Sequence, residues 1–138
     1  MKILTVDVVV NKSIHEVWNH FTNPDSITKW NHASDDWHCP KATIELRIGG
    51  KFSYIMSAVD GTSSFDFNGT FISVDKYKNI QYEIQGGRKV NVTFEKISED
   101  STKVTEDFEM ESENSEERQR FGWQCILNNF NNHCEQNG

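Results

Sequence analysis

Apolar residues recur along this chain with two periods, and the switches between them predict the order of elements. Leu4, Val6, Val8 and Val10 alternate with Thr5 and Asp7, as in a half-buried strand. Ser13, with Glu16 three residues later, predicts a helix start closed by a capping box. Ile14, Val17, Trp18 and Phe21 then fall on one helical face. Asn23 before Pro24 restarts the chain as a short second helix, an N-cap followed by proline at the first helical position, which runs out near Trp30. The next stretch, KWNHASDDWHC (29–39), has neither period and reads as a loop.

From Pro40 onward the period is two. Ile44, Leu46 and Ile48 form a strand face, and Gly49-Gly50 makes a turn into Phe52, Tyr54 and Met56. After DGTSS, Phe65, Phe67 and Phe71 share one parity while Ile72 and Val74 share the other, so a bulge is expected near Gly69 or Thr70. Ile80, Tyr82 and Ile84 follow, then Gly86-Gly87, then Val90, Val92 and Phe94. Val104, Phe108 and Met110 complete the last strand. Residues 115–135 return to helical spacing, with Trp123, Ile126, Leu127, Phe130 and Cys134 on one stripe and Gln119, Asn128, Asn132 and Glu135 mostly off it. The short connections favour an antiparallel meander, and the only element long enough to cover its concave face is the last helix. The expected architecture is a single α+β domain over residues 1–138.

Charge narrows the partners. The chain carries a formal net charge of −7, which argues against nucleic acid and anionic membranes, since phosphate surfaces repel it. Ten of its 21 carboxylates fall between Glu95 and Glu117 against Lys96 and Lys103, a run read as a solvated strand face rather than a docking patch. Three cysteines, Cys39, Cys125 and Cys134, without paired spacing, suit reduced thiols. The start, MKILTVDVVVNKS, is too regularly patterned for a signal peptide, and no apolar run approaches a membrane span. A cytoplasmic protein is expected.

Three stretches in this order, VWNHFTNPDSITKW (17–30), ELRIGGKFSYIM (45–56) with FDFNGTFISVD (65–75), and FGWQCILNNF (121–130), resemble the START-like, birch-pollen-allergen-type (SRPBCC) superfamily. Within it they are most similar to the domain of activator of Hsp90 ATPase homologues. The resemblance implies a helix-grip fold: a seven-stranded sheet wrapped around a long C-terminal helix, with an internal cavity between them. Superfamily relatives bind lipids, sterols, polyketides or plant hormones, some cyclise polyketides, and the eukaryotic namesake is a co-chaperone. The namesake's separate N-terminal chaperone-binding domain has no counterpart in these residues. Fold alone does not choose among these roles.

The residues weigh the chemistry. His32, Asp35, Asp36, His38 and Cys39 are metal-ligand types without the doubled two-to-four-residue spacing of a structural zinc site. His15 and His20, five apart, sit on different helix faces. No metal or other cofactor is expected. Cys39 beside His38 is adjacency rather than catalytic geometry, and Cys125 reads as a buried, inert thiol beside the last helix's stripe. Glu106 shares parity with Val104, Phe108 and Met110, so a regular strand turns it inward, where burial would raise its pKa and fit it as general acid or ligand anchor. The reading preferred is a bulge or an open sheet end that returns it to water, because charged residues are rarely buried without partners. Glu45 and Arg47 read as an outward surface pair. The inward strand faces are read as free of Arg, Lys and His, which argues against catalysis through a stabilised anion.

The expectation is therefore a binding module for a small hydrophobic or aromatic molecule, a lipid or polyketide-like metabolite. A polyketide cyclase or hydrolase, or a co-chaperone-like interaction domain, stands as the alternative. The expected wall is Phe52, Tyr54, Met56, Phe67, Phe71, Tyr82, Phe108, Trp123 and Leu127, with Glu106 as the possible anchor. Gly122 would let the last helix approach the sheet, Trp30 would be buried structure, and Trp37 and His38 would sit at the rim, Trp37 as a gate.

Overall fold

The computed structural model describes residues 2–137. In chain order the elements are β1 (Ile3–Val10), α1 (Ile14–Thr22), α2 (Pro24–Trp30), β2 (Trp37–Ile44), β3 (Lys51–Ala58), β4 (Ser64–Asp75), β5 (Asn79–Ile84), a 3-10 turn (Gln85–Gly87), β6 (Arg88–Ser98), β7 (Ser101–Glu109) and α3 (Glu116–Asn137). The seven strands form one antiparallel sheet in the order β1-β7-β6-β5-β4-β3-β2. β1 leaves the meander and returns to its far edge because α1 and α2 carry the chain across to β2. The fold is the expected helix grip, with α3 lying against the sheet.

Local chemistry accounts for the elements. β1 alternates perfectly between exposed and buried positions, placing Leu4, Val6, Val8 and Val10 in the core. Ser13 Oγ accepts from Glu16 N at 3.2 Å, so the N-cap forms. The box does not close: Ser13 N makes no bond to the Glu16 carboxylate, and Glu16 Oε2 is buried without a partner. Asn23 caps α2 through Asp25 N at 2.9 Å, with Pro24 at its first position.

Three expectations are corrected here. β2 begins at Trp37, not after Pro40, and ends at Ile44, so Leu46 and Ile48 belong to a loop and Ile48 is exposed. The sequence hides this because the register slips between His38 and Lys41, a bulge that erases the period of two. Pro40 is tolerated there because β2 is an edge strand. The β4 bulge falls at Ile72, not at Gly69 or Thr70: Phe71 pairs with Tyr82 and Ser73 with Gln81, leaving Ile72 unpaired and outward. Gly69 has another use. A Cβ there would come within 2.7 Å of the Phe52 ring and 2.4 Å of the Glu83 carbonyl oxygen, so Phe52 can lie flat over the strand only if residue 69 is glycine. Third, Glu45 and Arg47 pair at 3.2 Å in the loop after β2 rather than on a strand, both well exposed.

The space between sheet and α3 has two unlike ends. The registers carry the β3–β4 turn, the β5–β6 turn, the start of β2 and the segment after Glu109 to one end of the sheet. α3 starts at that end, and its last turns reach the opposite end, where Glu135 accepts from Asn11 N. At this second end the aromatic rings interlock. Phe21 stacks on Trp30 and meets Phe94 and Phe130 edge-on at 5.3 Å, while Trp18 meets Phe94 at 5.0 Å. Trp30 is buried as expected, its indole N–H donating to the His20 carbonyl at 2.9 Å.

Candidate functional site

Toward the other end, the sheet and the first half of α3 enclose a cavity of about 340 Å³. Its floor is aromatic because β3, β4 and β5 turn Phe52, Tyr54, Phe65, Phe67, Phe71 and Tyr82 to the concave side. Phe52 is the hub, within 5.8 Å of Tyr54, Phe67, Phe71 and Tyr82. Ile44, Met56 and Ile80 complete the sheet side, Phe21, Trp30 and Ala33 close one flank, and Gly122, Trp123 and Ile126 form the roof.

Of the expected wall, Phe52, Tyr54, Met56, Phe67, Phe71, Tyr82 and Trp123 line the cavity, and Glu106 does too. Phe108 and Leu127 do not. Phe108 lies behind Trp123, stacked on it at 4.1 Å with ring planes 7° apart, and Leu127 is sealed in the core. Parity finds the inward face but not the depth of a second layer. Trp37 is one ring removed from the space, meeting Phe65 edge-on at 5.7 Å from the first position of β2. His38 points outward, its Nδ1 against the Ser57 carbonyl at 3.0 Å, and does not line the cavity. The 29–39 stretch thus divides into the last two residues of α2, a six-residue loop, 31–36, and the start of an edge strand.

Gly122 has a different role from the one expected. A Cβ at this position would meet nothing within 4 Å, so no close approach to the sheet requires glycine. Its missing side chain leaves room in the roof.

Polar groups gather at the open end. Gln119, expected off the helix's working face, is buried: Oε1 accepts from Glu111 N at 2.9 Å, and Nε2 donates to the Glu111 and Asn114 carbonyls at 3.1 and 2.9 Å. It staples the β7–α3 connection with every bond satisfied. Arg88 and Arg118 also line the cavity, which overturns the reading of an interior without cations. Arg88 shares parity with Val90 and Val92, a signal available in the sequence but masked by its place directly after the Gly86-Gly87 turn. Its Nη1 donates weakly to the Glu109 carbonyl at 3.4 Å.

Glu106 is the sharpest correction. No bulge interrupts β7 there: Glu106 pairs with Val6 on one side and Val92 on the other and is only 7 % exposed. Burial alone pushes its carboxyl from an ordinary 4.5 up to about 8, because no hydrogen bond or opposite charge favours the ionised form. At neutral pH it is a carboxylic acid. The Tyr54 and Tyr82 phenols are likewise raised well above their ordinary 10 by burial, with the charge of Glu106 adding to the Tyr82 shift. All three stay neutral and protonated in the physiological range.

The remaining candidates do not converge. Cys39 and Cys134 are buried free thiols, both raised by burial. Cys125 is half-buried, not fully buried as the stripe suggested. Among the described residues no three His, Cys, Asp or Glu side chains are arranged to hold a metal ion. No helix among them is long and apolar enough to cross a membrane.

Known proteins share this arrangement. A solved AHSA1-like protein from Aeromonas hydrophila is 35% identical, with 96% of this chain and 93% of that one covered and a TM-score of 0.88. A protein from Cytophaga hutchinsonii, solved in solution, is 42% identical over 96% of this chain and 92% of its own, with a TM-score of 0.82. A Nitrosomonas europaea protein at 18% identity shares the fold over 97% and 94% of the two chains, with a TM-score of 0.79. No curated protein matches. The family described as Activator of Hsp90 ATPase homolog 1-like protein matches residues 11–135, and this chain belongs to that family, within the START-like superfamily.

Proposed function

We propose that this protein binds a small, mostly apolar molecule, a lipid or polyketide-like metabolite, between its sheet and the first half of α3. The observation that carries the reading is an aromatic wall left unfilled. Protein interiors pack to crystal-like density, so about 340 Å³ of space among six inward rings from one sheet is a cost the core could have avoided. The volume lies at the lower end of ligand cavities, which span roughly 300–1,000 Å³. Trp37, packed on a wall residue, is the gate in this reading.

The test is an amide-shift titration with fatty acids, flavonoids and polyketides. Saturable shifts are expected around Phe52, Tyr82 and Trp123, with Phe94 and Phe130 silent. Gly122→Trp, which puts a ring into the roof, should abolish them while the fold stays intact. Shifts that survive Gly122→Trp, or no saturable shift with any class, would overturn the reading.

An enzyme of polyketide cyclase or hydrolase type is the second reading, favoured by one observation: a protonated acid and two arginines border the same space. Recovering bound molecules after incubation separates the two, since a binding module returns them unchanged.

A further inference from the structure

Inside the cavity three hydroxyl-bearing side chains lack a partner. The Glu106 carboxyl and the Tyr54 and Tyr82 hydroxyls lie on its wall and make no hydrogen bond or ion pair with any described residue. The amides nearby are committed: Asn31 Nδ2 contacts Met56 Sδ at 3.5 Å, and Gln119 is held by its staple. Tyr82 lies within the electrostatic reach of both Glu106 and Tyr54, so the three form one group. Each presents an O–H at neutral pH, since Glu106 keeps its proton up to about 8. Unmet donors in an apolar cavity cost free energy until an acceptor arrives.

A buried acid among aromatic rings is also what an amine-binding site looks like, because a cation would gain both a carboxylate and ring faces. The charges at the open end decide against it. Arg88 and Arg118 take part in no ion pair among the described residues, and Glu111, which lines the cavity with them, accepts from Asn114 Nδ2. A cationic guest would share the cavity with two guanidiniums that no described carboxylate pairs. A guest with a partial negative charge is drawn to them.

We propose that Glu106 is the polar anchor of the cavity, donating its carboxyl proton in a hydrogen bond to the carbonyl oxygen of an apolar ligand, with Tyr82 beside it. This rests on the binding reading above and names the ligand's chemistry: a ring or chain bearing a ketone or comparable acceptor, not an amine. The charged and titratable groups that line the cavity with Glu106 are Tyr82 from β5, Tyr54 from β3, Arg88 from β6, Arg118 from α3 and Glu111 beyond β7. Burial moves the Tyr54 and Tyr82 phenols further from neutral pH, so the Glu106 carboxyl is the member of this hydroxyl group that changes charge near pH 8.

Three probes sharing one skeleton test it: 2-acetylnaphthalene, 2-ethylnaphthalene and 1-(2-naphthyl)ethylamine. Near pH 6 the ketone should bind about tenfold more tightly than the hydrocarbon, the worth of one net hydrogen bond in a dry site. The preference should fade as the pH rises through about 8 and Glu106 ionises. Glu106→Gln, which keeps an N–H donor that does not titrate, should retain the preference with a flat profile. Glu106→Leu should lose the preference while still binding the hydrocarbon. Linkage supplies an independent readout: ketone binding should push the Glu106 carboxyl titration, followed by carbon NMR, to higher pH, whereas an amine would pull it down. The inference fails if the ketone shows no preference near pH 6, if Glu106→Leu keeps that preference, or if the amine binds most tightly. If the hydrocarbon itself does not bind, the cavity reading falls, and this inference with it.

Discussion

The two ends of α3 rest on the same sheet and use the same kinds of residue, yet one end is solid and the other hollow. At the C-terminal end Leu127, Phe130 and Cys134 are buried, and Phe130 is gripped edge-on by Phe21 and Trp30. At the N-terminal end Trp123 and Ile126 are only half-buried, and the rings beneath them border open space. What differs is the third partner. α1 and α2 insert Trp18, Phe21 and Trp30 between helix and sheet at one end, while among the described residues nothing comparable reaches beneath Arg118 and Gly122 at the other. Aromatic residues fill a core where a second layer of helix presses them together, and become a lining where it does not.

The largest expected contrast comes from truncating rings at each end. Phe130→Ala should cost about 3–5 kcal/mol in chemical denaturation, as should Trp30→Ala, since both remove well-buried rings. Trp123→Ala should cost less than about 2 kcal/mol, because one side of its ring faces the cavity. Equal losses at the two ends would erase the distinction.

Protonation should split the ends by sign. Glu106 binds its proton more tightly folded than unfolded, so its contribution to stability is complete below about 4.5 and is lost as pH rises to about 8. At the solid end, His20 and His133 meet edge-on at 4.8 Å, and both are lowered chiefly by burial. Their folded forms hold protons less tightly than the unfolded chain, so stability there falls as pH drops below 6.5. Denaturation midpoints across this range should flatten on the alkaline side in Glu106→Gln and on the acid side in His133→Asn. If neither variant changes its own limb, the assigned groups are wrong.

Smaller effects probe the hollow end directly. Trp37→Ala should weaken ligand binding about tenfold (~1.4 kcal/mol) with little loss of stability, as measured by titration and melting. Unfolding without loss of affinity would make Trp37 packing instead of a gate. Smallest, and opposite in sign, Gly122→Ala should stabilise the protein by up to about 1 kcal/mol, because it removes a helical glycine where a methyl group meets no atom.

Much of this was legible in the sequence because the strands alternate cleanly and the helix starts carry their own caps. β1, the α1–α2 restart at Asn23-Pro24 and the inward set Phe52, Tyr54 and Tyr82 follow from period and capping alone. Legibility ended where a bulge broke the period, as at Pro40 and Ile72, since a one-residue slip reverses which face a side chain takes. It ended again where the answer depends on what lies opposite. Parity turned Glu106 inward, but only what lies opposite decides that no described residue compensates. The emptiness around Gly122 and the layer that hides Phe108 are likewise properties of two elements at once.

The Gln119 staple bears on how fast the cavity exchanges its contents. Lifting the first turn of α3 would strand three hydrogen bonds formed by one buried side chain. The 31–36 loop, whose Ala33 borders the cavity, is held to α3 by the Asn129 side chain on the His32 carbonyl. Traffic should therefore favour the loop over the helix, so that Asn129→Ala shortens residence times by speeding arrival and departure together, leaving the equilibrium affinity nearly unchanged. The helix would then act as a fixed wall and the loop as the valve.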